Sequence, residues 1–434
     1  MVSHIASNPS QGGESRRFNQ ADACYLAHAL FALAVITALL GALAFLLSGG
    51  RSSPLVWFDG AFAFSLLLGT YATMFWWCLL PPWRRVVDAP IERGEAAGGL
   101  FDYSIVIPVY NRPDHLIAIT TRIAEFAPSW ASLGTGELVI VDDGSQDATA
   151  AVADDIVRSF PLCARVIRQR NKGTSPARNT GFREARGTVV ISIDSDCIPD
   201  SNWLPEMLAA INSQPKTFAF ARIHKPAKRP CYPLENIPDV RGIVSASFGG
   251  RLSDIIAVGG MCEAFVGSHD DRDFVTKVQE QGYRVLQPDA WISHPMRRES
   301  VRSLWRGGLQ SRYGNLYAAR HGDNARRHLR SGPYNFGGIF GNHLSSLLTV
   351  TLAANILAAL VITIVAHAWS TLAIALMLAG GIVLVAALAA AALGLRVGAR
   401  PPDVPKYVIH LFTLQLATCV GRLRGSIEYG AVLL

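Results

Sequence analysis

The hydrophobic positions of this chain fall into two different patterns. Four stretches, residues 25–47, 61–80, 344–366 and 372–393, are nearly free of charged residues. At a rise of about 1.5 Å per residue, each is long enough to cross about 30 Å of hydrocarbon as a helix. A buried helix of a soluble protein usually keeps a polar stripe, which these stretches lack. This pattern predicts four transmembrane helices, two before and two after the polar middle of the chain.

The second pattern occupies the polar middle, where short β-branched runs alternate with stretches of helical periodicity. The runs "YSIVIPVY", "ELVIVDDGS", "CARVIRQRN" and "TVVISIDSD" are typical of strands, whereas "HLIAITTRIAEFA" and "ATAAVADDIVRSF" space their apolar residues by three and four. Alternation of strands and helices predicts an α/β domain on an open, mostly parallel sheet. Ligands of such sheets bind beyond the carboxyl ends of the strands.

Polar residues follow each of the four predicted strands directly. Because the carboxyl ends of parallel strands meet at one edge of the sheet, these residues should converge there. Four such clusters in succession favour a binding site over chance. The clusters are Tyr110-Asn111, Asp142-Asp143-Gly144-Ser145, Asn171-Lys172-Gly173 and Asp194-Ser195-Asp196.

Two later segments carry unusual charge. The stretch "HDDRD" opens a predicted helix, and it holds more carboxylates than favourable contact with the helix dipole requires. Residues 296–330 contain nine arginines interleaved with leucine, tryptophan and tyrosine, a pattern typical of amphipathic helices on a membrane surface. Residues 407–420 are too short to span a membrane upright, so they form either another interfacial segment or a tilted fifth helix.

Positive charge predicts the orientation of the chain. Arg16 and Arg17 precede the first apolar stretch, and Arg84 and Arg85 follow the second. Cytoplasmic flanks of transmembrane helices are enriched in Lys and Arg. We therefore expect a multi-pass protein of the cell (inner) membrane whose polar middle faces the cytoplasm. The net charge of +7 is concentrated beside the apolar stretches, which favours membrane lipids and not nucleic acid as the partner. Seven cysteines without CxxC pairing suit a reducing compartment.

These patterns together predict the division of the chain. We expect an α/β domain between two pairs of transmembrane helices, with interfacial helices directly after the domain. The predicted segments are a cytoplasmic leader at 1–24, two transmembrane helices within 25–80, the α/β domain at 101–295, interfacial helices at 296–342, two transmembrane helices within 343–394, and a cytoplasmic or interfacial tail at 395–434.

The pair Asp194 and Asp196 ends a run that is otherwise apolar. A D-x-D at the edge of a parallel sheet offers the oxygen ligands that Mg²⁺ or Mn²⁺ prefers, with positions left open for water and phosphate. A lone D-x-D is weak support for a metal site, and its neighbours in the sequence therefore matter.

In order and spacing, "SIVIPVYNR", "LVIVDDGSQDAT", "RNKGTSPARNTGFREARGTVVISIDSD" and "GGMCEAFVGSHDDRDF" followed by "QGYRV" resemble the family 2 glycosyltransferases with a GT-A fold. The resemblance covers roughly residues 103–294. It implies an inverting, metal-dependent enzyme that takes a sugar from a nucleotide-sugar donor.

On the donor side, the resemblance implies that Asp143 binds the nucleotide base, in a pocket also lined by Pro108 and Asn111. It implies that Asp196 holds the metal on the donor diphosphate, while Asp194 contacts the ribose or the metal. Two further donor-side candidates are His294, as a metal ligand, and Arg178, near the nucleotide.

On the acceptor side, the resemblance implies that Asp271 is the general base, with Asp270 in place of the family's usual Glu. Processive synthases of the family carry Q-x-x-R-W on an interfacial helix, whereas "LQSRYGN" has Gln310 and Arg312 at a different spacing. These two residues remain candidates for acceptor contacts, and the departure favours a single transfer over polymer extrusion.

Three alternatives remain open. A polyprenyl-phosphate glycosyltransferase would need no base for its anionic acceptor, so Asp271 favours a hydroxyl acceptor, lipid-linked or otherwise close to the membrane. A polysaccharide synthase is the second alternative. The third is a non-catalytic membrane protein that only binds a nucleotide-sugar, which the full set of carboxylates argues against.

Overall fold

The structure is a computed structural model that describes residues 99–224, 243–294, 300–322, 369–396 and 400–430, with residues 353, 356, 357 and 360. The described residues belong to two units. The α/β unit contains residues 99–224 and 243–294, and the helical unit contains the remainder. The first two predicted transmembrane helices, and nearly all of the third, lie outside the described residues.

The α/β unit begins with the alternating elements that the sequence predicts. They are β1 (Phe101–Val109), α1 (Pro113–Phe126), β2 (Gly136–Asp142), α2 (Thr149–Ser159), β3 (Cys163–Arg168), α3 (Thr174–Glu184) and β4 (Gly187–Ile193). The later elements are β5 (Ile198–Pro199), α4 (Trp203–Ser213), β6 (Thr217–Phe220), β7 (Arg222–His224), β8 (Ser247–Arg251), α5 (Leu252–Ala257), α6 (Asp270–Glu280), β9 (Arg284–Leu286) and β10 (Trp291–Ser293).

Seven strands form one mixed sheet in the order β3-β2-β1-β4-β8-β6-β9. The four strands predicted from the sequence are neighbours and run parallel, as expected. Strand β8 runs antiparallel to β4 and β6. The sequence analysis did not identify β8, since "SFGGR" contains two glycines, which are depleted in strands. A Cβ on Gly249 would lie 2.5 Å from the Val190 carbonyl oxygen, so the close pairing with β4 requires glycine there.

Both faces of this sheet are buried, which explains why its strands are continuously apolar. Successive side chains of β1 alternate between two cores: Ile105 and Ile107 pack on the side of Trp130 and Trp203, and Val106 packs on the other side with Phe182. Alternate strand positions point to opposite faces, and this period fixes the register of the strands. The rigid sheet holds the loops at its carboxyl edge.

A small second sheet, in the order β5-β10-β7, borders the "DSD" loop. Strand β5 begins two residues after Asp196, and β10 ends directly before His294. The two strands are antiparallel, with Ser293 opposite Ile198. This pairing brings two chain segments about a hundred residues apart in sequence to the same edge.

The helical unit contains α7 (Val301–Leu309), α8 (Arg312–His321), α9 (Trp369–Arg396) and α10 (Val404–Tyr429). Helix α10 packs against the other three. Its close approach to α7 depends on small residues, since a Cβ on Gly308 would lie 2.5 Å from the Ala417 Cβ. Asn315 of α8 also donates a hydrogen bond of 3.0 Å to the Ser426 hydroxyl.

Two predictions about membrane segments can be compared with these helices. Residues 372–393, the fourth predicted transmembrane helix, lie within α9, and residues 407–420 lie within the single helix α10. Among the residues that the structure describes, no helix combines the length and the apolar character needed to cross a membrane. The terminal transmembrane helices of the predicted fold class are therefore not supported by the described residues.

Candidate active site

The first aspartate of the "DSD" loop, Asp194, is held by a buried arginine. The Arg178 Nη2 donates to the Asp194 Oδ1 at 2.5 Å, and the Arg178 Nη1 donates to the Asp270 Oδ2 at 3.0 Å. Arg178 is only 2% exposed, and it also donates to the Ser245 carbonyl oxygen. Burial raises the pKa of Asp194, and the Arg178 charge opposes this shift. Arg178 thus connects α3, the end of β4 and the start of α6.

This position changes the interpretation of two predicted site residues. Arg178 was expected near the nucleotide, but its guanidinium group is buried and bonded to two carboxylates. Asp194 was expected to contact the ribose or the metal, but its carboxylate lies against Arg178 and is not among the clustered metal-ligating groups of the described residues. The contacts give both residues a structural role in the framework of the site, and their expected contacts with the nucleotide, the ribose and the metal stay predictions.

The second aspartate, Asp196, faces a different set of groups. Its Oδ2 is in contact with the Arg112 Nη1, and the His294 Nε2 lies 3.7 Å from its Oδ1. Ligand atoms of Asp196, Cys197 and His294 lie within 4.8 Å of one another. The structure therefore brings together two of the three residues predicted as metal ligands, Asp196 and His294, from distant parts of the chain.

The donor set of this cluster fits Mg²⁺ or Mn²⁺. The Asp196 carboxylate supplies the oxygen ligand that hard cations prefer, and the His294 imidazole suits Mn²⁺. The Cys197 thiol is a soft ligand and suits these hard cations less well. Within this cluster of the described residues, Asp196 and His294 are therefore the two suitable ligands, which leaves coordination positions for water and for a diphosphate.

The loops after β1, β2 and β3 are cross-linked around Asp143. The Asp143 carboxylate accepts hydrogen bonds from the Gln169 side chain at 2.6 Å and from the backbone N–H groups of Lys172 and Gly173. Asn111, with φ of 50°, accepts a hydrogen bond from the Gln146 N–H at 2.8 Å. These bonds hold three successive strand ends in one fixed arrangement.

The remaining predicted residue of this pocket, Pro108, is buried within β1. It is paired with Val141 in the sheet and precedes the loop that carries Asn111. Its backbone has no N–H to donate, and its position supports the strand end.

Helix α6 begins at the predicted general base. Asp270, Asp271 and Asp273 occupy its first turn, and the preceding residue, His269, has a left-handed backbone with φ of 66°. Burial, together with the negative charge of Asp270, raises the pKa of Asp271 to about 6. The Asp271 Oδ1 accepts a hydrogen bond of 2.7 Å from the Arg272 N–H. Asp271 is thus a stronger base than an ordinary aspartate while still ionised at neutral pH.

The two predicted acceptor-binding residues lie in the helical unit. Gln310 is the C-cap residue directly after α7, and Arg312 is the first residue of α8. The Arg312 Nη2 donates to the Tyr313 hydroxyl at 2.8 Å, and its Nη1 lies 3.8 Å from the Glu428 Oε2. These contacts stabilise the packing of α8, and the proposed role in acceptor binding stays a prediction.

Arg112 and Gln169 are two residues of the site that were not predicted from the sequence. Arg112 follows Asn111 at the end of β1, which is the neighbour of β4 in the sheet. A cation directly after β1 should therefore lie beside the "DSD" loop after β4, and this signal was present in "YNRPD". Gln169 follows β3 in the same way and is held close to Asp143.

The geometry agrees with a comparison of this chain with known families. Residues 104–240 match the family model described as glycosyl transferase family 2. This segment is a family 2 glycosyltransferase domain. The matched part of the family 2 domain includes Asp143 and both "DSD" aspartates, whereas Asp271 and His294 lie beyond its end.

Relatives of the family 2 domain are similar over only part of their length. A dolichol-phosphate mannosyltransferase of Pyrococcus furiosus is 32% identical over 154 residues, which is 35% of this chain and 40% of that protein. The glycosyltransferase AglE of Haloferax volcanii is 28% identical over 109 residues, which is 25% of this chain and 35% of that protein. The alignments therefore span less than half the length of these curated relatives.

Among solved structures, the chain is similar to the mannosyltransferase PcManGT of Pyrobaculum calidifontis, in complex with GDP-Man and Mn²⁺. It is 19% identical, with a TM-score of 0.46 over 84% of this chain and 97% of that chain.

Proposed function

We propose that this protein is an inverting, metal-dependent glycosyltransferase. It transfers one sugar from a nucleotide-sugar to a hydroxyl group of a lipid-linked or membrane-proximal acceptor. The observation that carries the proposal is the combination, in the α/β unit that contains the family 2 segment, of the Asp196–His294 cluster and a carboxylate, Asp271, whose pKa is raised to about 6.

The loop network around Asp143 supports binding of the donor nucleotide. A carboxylate can accept about four hydrogen bonds, and Asp143 accepts three within the protein. The remaining capacity suits an N–H group of a nucleotide base. Because Gln169 and two backbone groups already fix the carboxylate, binding the base requires little reorganisation.

The donor diphosphate fits the Asp196 side of the site. Asp196 and His294 would hold Mg²⁺ or Mn²⁺, which stabilises negative charge on a departing diphosphate when it is bound. The antiparallel pairing of β5 with β10 supports this assignment, because these strands flank Asp196 and His294 and hold the two residues close together.

Asp271 supports removal of a proton from the acceptor. A catalytic base is most effective when its pKa lies near the working pH, and a value of about 6 meets this condition. A hydroxyl that loses its proton to Asp271 would attack the sugar carbon from the side opposite the diphosphate. One displacement of this kind inverts the configuration of that carbon.

A second candidate function is transfer to a polyprenyl phosphate. The similarity to the Pyrococcus furiosus relative, a dolichol-phosphate mannosyltransferase, favours this alternative. Its acceptor would already be an anion, so Asp271 would not be needed as a base. The two functions therefore differ in what Asp271 does.

Helix α10 supports the location of the acceptor at a membrane. Its buried face, toward the other helices of the unit, is largely polar or small and includes His410, Thr418, Arg422 and Ser426. Its exposed face carries an apolar stripe. The members of this α10 stripe are Ile409, Leu416, Val420, Leu423 and Ile427.

The buried face also holds Tyr407 and Leu411, but five large apolar side chains on one helix stay exposed, which is unusual in water, where apolar side chains lie inside. In lipid, helices associate through small residues and interhelical hydrogen bonds and turn apolar side chains outward. Helix α9, which packs against α10, also exposes apolar side chains such as Met377 and Leu384. The two helices and the apolar stretches of the sequence support a site at the cytoplasmic face of the inner membrane.

Substitution of Asp271 tests the proposed function and separates it from the second candidate. Asp271→Asn keeps the shape of the side chain but removes the base. We expect unchanged affinity for the donor, measured as protection against heat by the nucleotide-sugar with Mn²⁺, and a loss of transfer of about 10²–10⁴-fold. Unchanged transfer would instead favour a phosphate acceptor.

A further inference from the structure

Arg112 and Arg178 hold the two "DSD" aspartates in different ways. Arg178 is 2% exposed and is bonded to Asp194, Asp270 and a backbone carbonyl oxygen. Arg112 is 33% exposed, and among the salt bridges of the described residues it takes part in one, with Asp196. Arg178 is therefore a fixed part of the framework, whereas the side chain of Arg112 has room to move.

The backbone of Arg112 is held while its side chain extends into the site. Its N–H donates a hydrogen bond of 2.9 Å to the Thr149 hydroxyl, and the residue precedes Pro113 at the start of α1. The backbone of Arg112 is therefore fixed, whereas its side chain, which carries the guanidinium group, is able to change conformation.

The Arg112 guanidinium group lies against one oxygen of the Asp196 carboxylate. A divalent cation at this site would need the same carboxylate. Arg112 contacts the Asp196 Oδ2, and His294 lies on the side of Oδ1. A doubly charged ion bound by Asp196 and His294 would repel a guanidinium group at contact distance. The diphosphate of the donor is an anion and can replace Asp196 as the partner of Arg112. Its oxygens match the planar hydrogen-bond donors of the guanidinium group.

We infer that Arg112 neutralises Asp196 in the free protein and moves to the donor diphosphate when a divalent cation binds Asp196. This inference rests on the proposed function. Its consequence is positive coupling between the two ligands: the cation alone competes with Arg112 and binds weakly, whereas the cation and a diphosphate together satisfy Asp196 and Arg112. Such coupling typically amounts to about 5–150-fold in affinity.

Mn²⁺ binding to the full-length protein, followed by the electron paramagnetic resonance signal of free Mn²⁺, tests the inference. The measurement is made with and without UDP or GDP. In the wild type, the better nucleoside diphosphate should tighten Mn²⁺ binding by about tenfold or more. Arg112→Gln should tighten the binding of Mn²⁺ alone by about tenfold and should reduce the effect of the nucleotide.

Two control variants make this result specific. Arg112→Lys keeps the positive charge and should retain most of the wild-type coupling. Arg122→Gln removes an exposed arginine of α1 that pairs with Glu125, so it should bind Mn²⁺ as the wild type does. Both variants also show whether a substitution in or next to α1 is by itself enough to disturb Mn²⁺ binding.

The outcomes separate this inference from the proposed function. If the wild type binds Mn²⁺ and a nucleoside diphosphate while Arg112→Gln has unchanged affinity and coupling, the role of Arg112 is overturned and the proposed function is not. If the wild type binds neither Mn²⁺ nor any nucleoside diphosphate, both are overturned.

Discussion

The two aspartates of the "DSD" loop, only two residues apart, have different environments. Asp194 is bonded to a buried guanidinium group, and Asp196 faces a partly exposed one together with the His294 imidazole. Neighbouring carboxylates disfavour each other's ionised form, and a separate positive partner for each one offsets this repulsion. The loop therefore combines one carboxylate held by a fully buried arginine with a second one, only 6% exposed, that is held by a partly exposed arginine.

The ionisation of Asp271 should control the pH dependence of transfer. Because the carboxylate form accepts the proton, kcat/KM should rise as pH increases through about 6 and should then level off. Asp270→Asn removes a negative charge that raises the pKa of Asp271, so the rising part of the profile should move to lower pH. A wild-type profile without this rise would argue against Asp271 as the base.

Removal of the Arg178 guanidinium group should destabilise the α/β unit. Arg178→Gln leaves the Asp194 and Asp270 carboxylates without their buried partner, which typically costs about 3–5 kcal/mol. Thermal unfolding of the full-length protein measures the loss. Arg183→Gln, on the exposed side of the same helix, is the matched control and should unfold near the wild-type temperature. Equal unfolding temperatures for the two variants would contradict the framework role of Arg178.

For individual residues, the sequence predicted the acidic residues of the site better than it predicted the basic residues that pair with them. Asp194, Asp196 and Asp271 belong to motifs that can be recognised by order and spacing. Arg112 and Asp196 are in contact although they are 84 positions apart in the sequence. A contact between residues so far apart depends on the order of the strands in the sheet, which local motifs do not encode. For the same reason, the buried state of Arg178 could not be inferred from its polar side chain.

Among the elements of the structure, the loops at the carboxyl edge of the sheet depend most on local backbone geometry. The loop after β2 turns at Gly144, which has φ of 78°, and it meets the loop after β3 at the Asn171 N–H. The four parallel strands that carry these loops were predicted from β-branched runs. Strand β8 was not, since its place in the sheet depends on glycine and on close approach to β4.

Substitution of Gly144 should therefore disturb the donor pocket. A Cβ there would lie 2.8 Å from the Asn171 nitrogen, so Gly144→Ala should separate the two loops that surround Asp143. We expect a loss of stability of about 1–3 kcal/mol and weaker nucleotide-sugar binding, measured by isothermal titration calorimetry.

Gly259→Ala provides the control for this substitution. Gly259 has a similar φ of 77°, but a Cβ there would meet nothing within 4 Å. The control should show backbone strain without loss of donor affinity. Equal donor affinities in the two variants would contradict the importance of the loop contact.

At the scale of the whole molecule, helix α10 shows what hydropathy alone could not determine. The sequence left residues 407–420 as either an interfacial segment or a tilted helix, because the segment contains both polar and apolar residues. The structure assigns them to one helix whose exposed side chains in this range, Ile409, Leu416 and Val420, are apolar, while its buried side chains include polar His410 and Thr418 beside Tyr407 and Leu411. Which face is buried follows from contacts with α7, α8 and α9, and these contacts are not encoded in local periodicity.

The exposed α10 stripe should contact lipid. A nitroxide spin label at Leu416→Cys, in full-length protein reconstituted into vesicles of phosphatidylethanolamine and phosphatidylglycerol, should be more accessible to oxygen than to a water-soluble nickel complex. A label at Arg400→Cys, where the side chain is 76% exposed, is the control and should show the opposite preference. Nickel accessibility at both positions would contradict the lipid contact, and spin–spin broadening would indicate a second copy of the chain.

The central claim is that the Asp196 side of the family 2 domain supports metal-dependent use of a nucleotide-sugar. The most direct test measures nucleoside diphosphate release from a panel of nucleotide-sugars by the full-length protein, with Mn²⁺ or with chelator, and compares the wild type with Asp196→Ala. We predict that the wild type releases a nucleoside diphosphate from at least one donor, only with Mn²⁺, and that Asp196→Ala is at least about 10²-fold slower. Release that is equal in the two proteins, or absent for every donor, would contradict the account.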